Sequence, residues 1–269
     1  MRKYIHLSVS ILLLSLLQAC GGDSDDDSNP VAGAAAGPTA TGPGASNVGA
    51  FTAKFVPTEK KRSILLSMSS QSISPEALEQ ADNGAMLRLG STTLSGPHKT
   101  VDIAGDAQFA LGRWVNGTVT QSTGAETLTG EDFRSYHYLA YNALKELPTS
   151  GNFECATVAA TAPTTNSSAA RVGSASGTAS ISFGTSGAAV QGKIQVRAAG
   201  ESAEVDLSTH IKAVAHMSIM GAFFGSGPGA AVTLASQGNS DPALSIGYRA
   251  RMPGGALYLG VARLTCTRK

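Results

Sequence analysis

Between Val190 and Ala198 the chain alternates without a break. Val190, Gly192, Ile194, Val196 and Ala198 fall on one side, and Gln191, Lys193, Gln195 and Arg197 on the other. A period of two gives a strand one apolar and one wet face, and it rules out helix for this segment. The pattern recurs at Leu244, Ile246, Tyr248, Ala250 and Met252, which alternate with Ser245, Gly247, Arg249 and Arg251. Ala179, Ile181 and Phe183 mark a strand ahead of Gly184, Gln108 to Val119 contains another, and Phe153–Ala159 and Ala256–Cys266 complete the set. Gly, Ser, Asn and Pro turns separate them. Such spacing predicts an all-β protein, an antiparallel sandwich or closed barrel, and closure would remove the exposed edges through which open sheets aggregate. The 31 glycines and single tryptophan suit a turn-rich β domain. One short helix is expected over Pro75–Ala81, because Ser74-Pro75-Glu76 reads as an N-cap and first turn.

The first fifty residues obey a different logic. Arg2 and Lys3 precede an apolar run from Ile5 to Leu17, too short to span a bilayer, and Leu17-Gln18-Ala19-Cys20 follows. This looks like a bacterial lipobox, with residues 1–19 as signal peptide and Cys20 as the lipidated first residue of the mature chain. An ordinary secretory signal with an incidental cysteine is the alternative. Gly21 directly after Cys20 is compatible with delivery to the outer membrane. Residues 20–50 carry only Val31 and Val48 as larger apolar groups. They cannot bury enough surface to offset their ordering entropy, so a disordered tether with a mean reach of roughly 30 Å is expected. Asp23, Asp25, Asp26 and Asp27 would be repelled by anionic head groups. A lipid-facing transmembrane barrel is the competing account of the strand alternation, and the anchor and tether argue against it.

Charge and cysteine usage narrow the function. Without Arg2 and Lys3 the chain has 18 basic residues against 19 acidic ones, far from the basic stripe of a nucleic-acid binder. With Cys20 committed to lipid, Cys155 and Cys266 remain, and an oxidising compartment favours a disulfide between them over two buried thiols. That bond would contribute roughly 4 to 5 kcal/mol in the chain-entropy treatment. No Cys-x-x-Cys spacing points to a metal site.

Several phrases share an order along the chain. Leu111-Gly112-Arg113-Trp114-Val115-Asn116-Gly117 precedes Ser135-Tyr136-His137-Tyr138, then Leu147-Pro148-Thr149-Ser150-Gly151 and Ala160-Thr161-Ala162-Pro163-Thr164, then Gly221-Ala222-Phe223-Phe224-Gly225 and Gly227-Pro228-Gly229-Ala230. Together they resemble the eight-stranded barrel module of transferrin-binding protein B and its wider relatives, over roughly 108–269. The resemblance implies a lipid-anchored surface protein that binds through loops. The chain departs from that family in having room for one lobe only. No loop can be matched to the part that grips transferrin, and Ala140-Tyr141-Asn142 stands where relatives turn through glycine. Residues 51–107 would form a small N-terminal β or handle-like segment, and 108–269 the barrel.

Enzymatic motifs are absent from this reading. Gly225-Ser226-Gly227 lacks the flanks of a nucleophile elbow, and Gly221–Gly229 lacks the lysine of a phosphate loop. His98, His137, His210 and His216 have no metal-ligand spacing, and Glu201, Glu204 and Asp206 read as solvated. No catalytic residue, metal or cofactor is assigned. Arg113 and Trp114 are candidates for contact with a partner, with a core anchor as the alternative for Trp114. Phe223 and Phe224 are a further pair, of which one must point away from a simple barrel core. The expectation is a monomeric, non-enzymatic lipoprotein at the outer-membrane surface, binding a host protein or a small carried ligand such as haem. A periplasm-facing role in envelope assembly is the alternative.

Overall fold

A computed structural model describes residues 49–269 apart from 75–76, 131, 168–171 and 215. The expected signal segment, Cys20, nearly all of the expected tether, and Pro75 and Glu76 of the expected helix lie outside the described residues. The chain forms two antiparallel sheets, each curled into a half-barrel. The first holds β1 (Lys61–Leu66), β2 (Gln71–Ser74), β3 (Leu78–Gln80), β4 (Met86–Leu89), β5 (Thr92–Asp106), β6 (Phe109–Gln121), β7 (Gly124–Thr129) and β8 (Tyr136–Asn142). Its order is β2-β1-β8-β6-β5-β4-β3, with β7 also on β6. The second holds β9 (Gly151–Ala160), β10 (Ser174–Gly184), β11 (Gly187–Ala198), β12 (Glu201–Asp206), β13 (Thr209–Ile211), β14 (Met217–Gly221), β15 (Gly229–Ser236), β16 (Pro242–Arg251) and β17 (Leu257–Arg268). Its order is β12-β11-β10-β9-β17-β16-β15-β14, with β13 also on β11.

Two expectations are corrected. Leu78–Gln80 is strand, not helix, because Leu78, Glu79 and Gln80 pair with Leu89, Arg88 and Met86; ladder pairing outweighs a local capping signal. The passage from the first sheet to the second falls within 143–150. Residues 107 and 108 are the turn of the β5–β6 hairpin, where the Asp106 carboxylate accepts from the backbone N–H of Gln108 (2.7 Å) and Phe109 (3.3 Å). β6, β7 and β8 complete the first sheet. The second sheet has nine strands, and among the described residues no ladder joins β14 to β12 or β13. The Asp206 carboxylate accepts from the Ser208 backbone N–H (2.9 Å) and hydroxyl (2.6 Å), and this turn breaks one strand position into β12 and β13. A side-chain hydrogen bond between Thr209 and Ser218 links β13 to β14.

Burial shows how the sheets sit on each other. β10 and β11 alternate buried with exposed residues, so one face is wet. β8 is buried at every position and β16 at all but Arg251. In β8, Tyr136, Tyr138 and Ala140 fill the core inside the first sheet, while Leu139 and Tyr141 meet Ala235, Ala243 and Val261 of the second. In β16, Leu244, Ile246, Tyr248 and Ala250 fill the core inside the second sheet. The face carrying Ser245, Gly247 and Arg249 packs toward the first sheet instead of water; Ser245 is 0% and Arg249 1% exposed. Phe109 and Leu111 of β6, Ile64 of β1 and Ala159 of β9 close the layer between the sheets.

Candidate functional site

Three of the quoted phrases, those holding Arg113, His137 and Thr161–Thr164, converge at one point of the inter-sheet layer. Arg113 on β6 and His137 on β8 are cross-strand partners. His137 is fully buried, and its Nδ1 and Nε2 lie 2.7 Å from the Thr161 and Thr164 hydroxyls, which follow β9. Arg113 Nε donates to Asp102 Oδ2 at 2.9 Å, and that oxygen also accepts from the backbone N–H of Ala162 at 2.9 Å. Asp102 occupies an irregularity of β5 with a φ of 56°, a conformation that Asp tolerates better than most residues. The backbone of Thr161 and Thr164 pairs with Val261 and Leu259 of β17, so the node ties both sheets together. Burial pushes His137 well below the ordinary histidine range, and the nearby Arg113 charge adds to this. A neutral, fully buried imidazole held between two hydroxyls is a structural clasp.

Trp114 and Tyr138 perform a related task inside the first sheet. Trp114 Nε1 donates to the Met86 carbonyl at 2.7 Å, and the Met86 N–H donates to the Tyr138 hydroxyl at 3.2 Å. Together they satisfy the Met86 backbone at the start of β4, which pairs with β5 through only two residues. Tyr138 lies across its ladder partner Gly112, where a Cβ would collide with the ring. The structure buries both Arg113 and Trp114; their exposures are 3% and 0%.

Phe223 and Phe224 divide as adjacent residues should. After β14 the loop folds back over the outer face of the second sheet. Phe223 is buried with Leu66, Ala231 and Leu259, against Gly247, where a Cβ would stand 3.0 Å from its ring. Arg249 Nη1 donates to the carbonyls of Phe223 (3.4 Å) and Gly225, and Arg251 Nη2 to that of Ser226 (3.1 Å). With the Gln71 amide nitrogen toward the Phe223 carbonyl, both ends of that amide find partners at 3.0 Å, linking β2 to the loop. Phe224 packs edge-on against Phe223 with ring centroids 5.3 Å apart, yet is 57% exposed. It is the one exposed aromatic residue among the described residues. Ile219 on β14 is also exposed, and it pairs with Ala231 beneath the same loop.

At the end of the seam where β1 begins and β8 ends, a cleft of about 510 Å³ opens between the sheets, with Lys60, Gln108, Asn142, Lys145 and Ser236 among its walls. Sequence reasoning passed over these residues; the adjacent Lys60 and Lys61 were the only local signal. Cys155 and Cys266 form a disulfide inside the second sheet, at directly paired positions of β9 and β17. His98 and His210 are exposed, each with one nitrogen 2.9 Å from a backbone carbonyl, of Gly96 and Ser186 respectively. His216 is exposed as well. Among the described residues no three His, Cys, Asp or Glu side chains converge to hold a metal ion.

The fold and sites thus define a two-sheet all-β protein with a buried polar clasp, a fixed aromatic loop and a cleft at its seam. Comparison with family models, curated proteins and solved structures found no match.

Proposed function

We propose that this chain is an outer-membrane lipoprotein, anchored through lipid on Cys20 and displayed at the cell surface, that acts by binding rather than by catalysis. In this reading it is a distant one-lobed relative of transferrin-binding protein B, monomeric, with the second sheet corresponding to the eight-stranded barrel and β12 and β13 sharing one strand position. The ligand is a host protein or a small carried molecule such as haem. The observation that carries the reading is the Ala222–Pro228 loop. Its backbone is clamped by Arg249 and Arg251, its base is plugged by Phe223, and it presents Phe224 to solvent. A pre-ordered aromatic loses little entropy on contact, which is the usual character of a binding hot spot.

Two variants test this. Cys20→Ser should shift the protein from the membrane fraction to the soluble fraction. Phe224→Ser should weaken capture of partners from host fluids while leaving the fold intact. Retention in the membrane despite Cys20→Ser, or undiminished capture by Phe224→Ser, would contradict the anchor and the loop respectively.

A further inference from the structure

The cleft at the seam has a charge character of its own. Lys60 and Lys145 line it, and Glu59 is the carboxylate that faces them. Lys61 and Arg62 follow directly along the chain. The Lys60 ammonium donates to the Lys145 carbonyl, which leaves two of its three N–H groups for a ligand. Gln108 accepts from Asn142 Nδ2 at 3.5 Å, while its own NH2 lies beside Gly238 with no protein acceptor among the described residues. Asn142 is spent on structure, accepting from Thr58 and donating to the Val56 carbonyl. The cleft therefore offers two ammonium groups and one amide donor, from the turn before β1, the β5–β6 turn and the segment after β8, and one competing anion among its walls.

Beneath the Ser236 wall lies Arg263 of β17, 1% exposed. Its Nη2 donates to the Ser236 carbonyl, its Nη1 to the Ser245 hydroxyl (2.9 Å), and its guanidinium lies 5.3 Å over the Phe109 ring. Among the described residues no carboxylate stands within ion-pair distance of it, and its Nε has no partner. Burial pulls Arg263 down to about 10, with Asp106 acting the other way, so it keeps its charge at neutral pH. A buried cation offset only at longer range by Asp106 projects part of its field through low dielectric toward the nearby opening.

We propose that this cleft binds a phosphate-class anion, with Lys60 and Lys145 as cationic ligands and the Gln108 amide as a neutral donor. Donors converging from different directions suit an anion with several oxygens better than a single carboxylate. The volume exceeds that of a bare ion, so the anionic group is carried on a larger polar body: a soluble phosphate ester or a lipid head group.

The test titrates the 15N-labelled domain with inorganic phosphate and, separately, with phosphatidylglycerol vesicles set against phosphatidylcholine vesicles. Saturable shifts at the Lys60, Gln108 and Ser236 amides are expected. Binding should weaken about tenfold or more in Lys60→Ala/Lys145→Ala. It should tighten in Glu59→Gln and stay unchanged in Lys193→Ala, a control on the wet face of β11. All three lysines and Glu59 are exposed, so the variants retain the fold. A response to inorganic phosphate identifies a soluble ester as the source. A response only to phosphatidylglycerol, lost in the double variant, identifies a head group. No localised response to either, or one that survives the double variant, overturns the proposal.

Discussion

Removing the Cys155–Cys266 bond should cost this domain a large part of its stability through the unfolded state. The cysteines are 111 residues apart in sequence, yet paired directly across β9 and β17. Chain entropy for a loop of that length gives about 4.8 kcal/mol at 25 °C. The folded state should change little. The β9–β17 ladder continues on both sides of the bond, and both cysteines are buried in the core of the second sheet. For a domain of this size each kcal/mol moves Tm by about 2–4 °C, so Cys155→Ala/Cys266→Ala should melt about 10–20 °C lower. The cavity left by two sulfur atoms acts in the same direction. The assay is thermal and urea unfolding followed by circular dichroism, with the variant preferred to added reductant, because burial shields the bond in the folded protein. The urea m-value should also rise, since the unlinked chain expands further when unfolded. A Tm drop under about 3 °C with an unchanged m-value would refute the reasoning.

Other perturbations separate structural residues from displayed ones. Trp114→Ala should destabilise by about 3–5 kcal/mol, read by urea unfolding, through lost packing against Tyr136 and Tyr138 and loss of the Met86 hydrogen bond. Phe223→Ala should cost about the same, while Phe224→Ser should stay within about 0.5 kcal/mol of the parent. Equal losses at the two positions would mean that Phe224 is part of the packing. His137 is held neutral in the fold, so between pH 6.5 and its lowered folded value the unfolded chain binds the extra proton. Its contribution is therefore complete above about pH 6.5 and is lost as pH falls, by up to about 1.4 kcal/mol per pH unit. Urea midpoints measured from pH 8 to 5 should decline in the parent protein more steeply than in His137→Gln.

The strands were largely legible because alternation is a local property. Val190–Ala198 lies within β11, and its wet side is wet. The same reasoning misplaced Ser245, Gly247 and Arg249, because a polar residue facing a partner sheet and one facing water look alike in sequence. Arg249 is buried by contacts made to the loop of Phe223 and to Gln71, residues far from it along the chain. The hairpin turn at 107–108 was hidden for a related reason. Gly and Pro announce turns, but Ala107-Gln108 is closed by the Asp106 side chain instead. The phrases around Arg113, His137 and Thr161–Thr164 were individually uninformative, and their shared role emerged only when β5, β6, β8 and the segment after β9 met at His137. The cleft was illegible for the same reason: Lys60, Gln108, Lys145 and Ser236 come from four separate stretches of the chain.

Surface display is the central claim, and protease shaving of intact cells tests it most directly, read with an antibody to the β domain and a periplasmic protein as control. Loss of the domain signal with the control intact is the predicted result. Protection of the domain until the outer membrane is opened would contradict it and assign the protein to the periplasm.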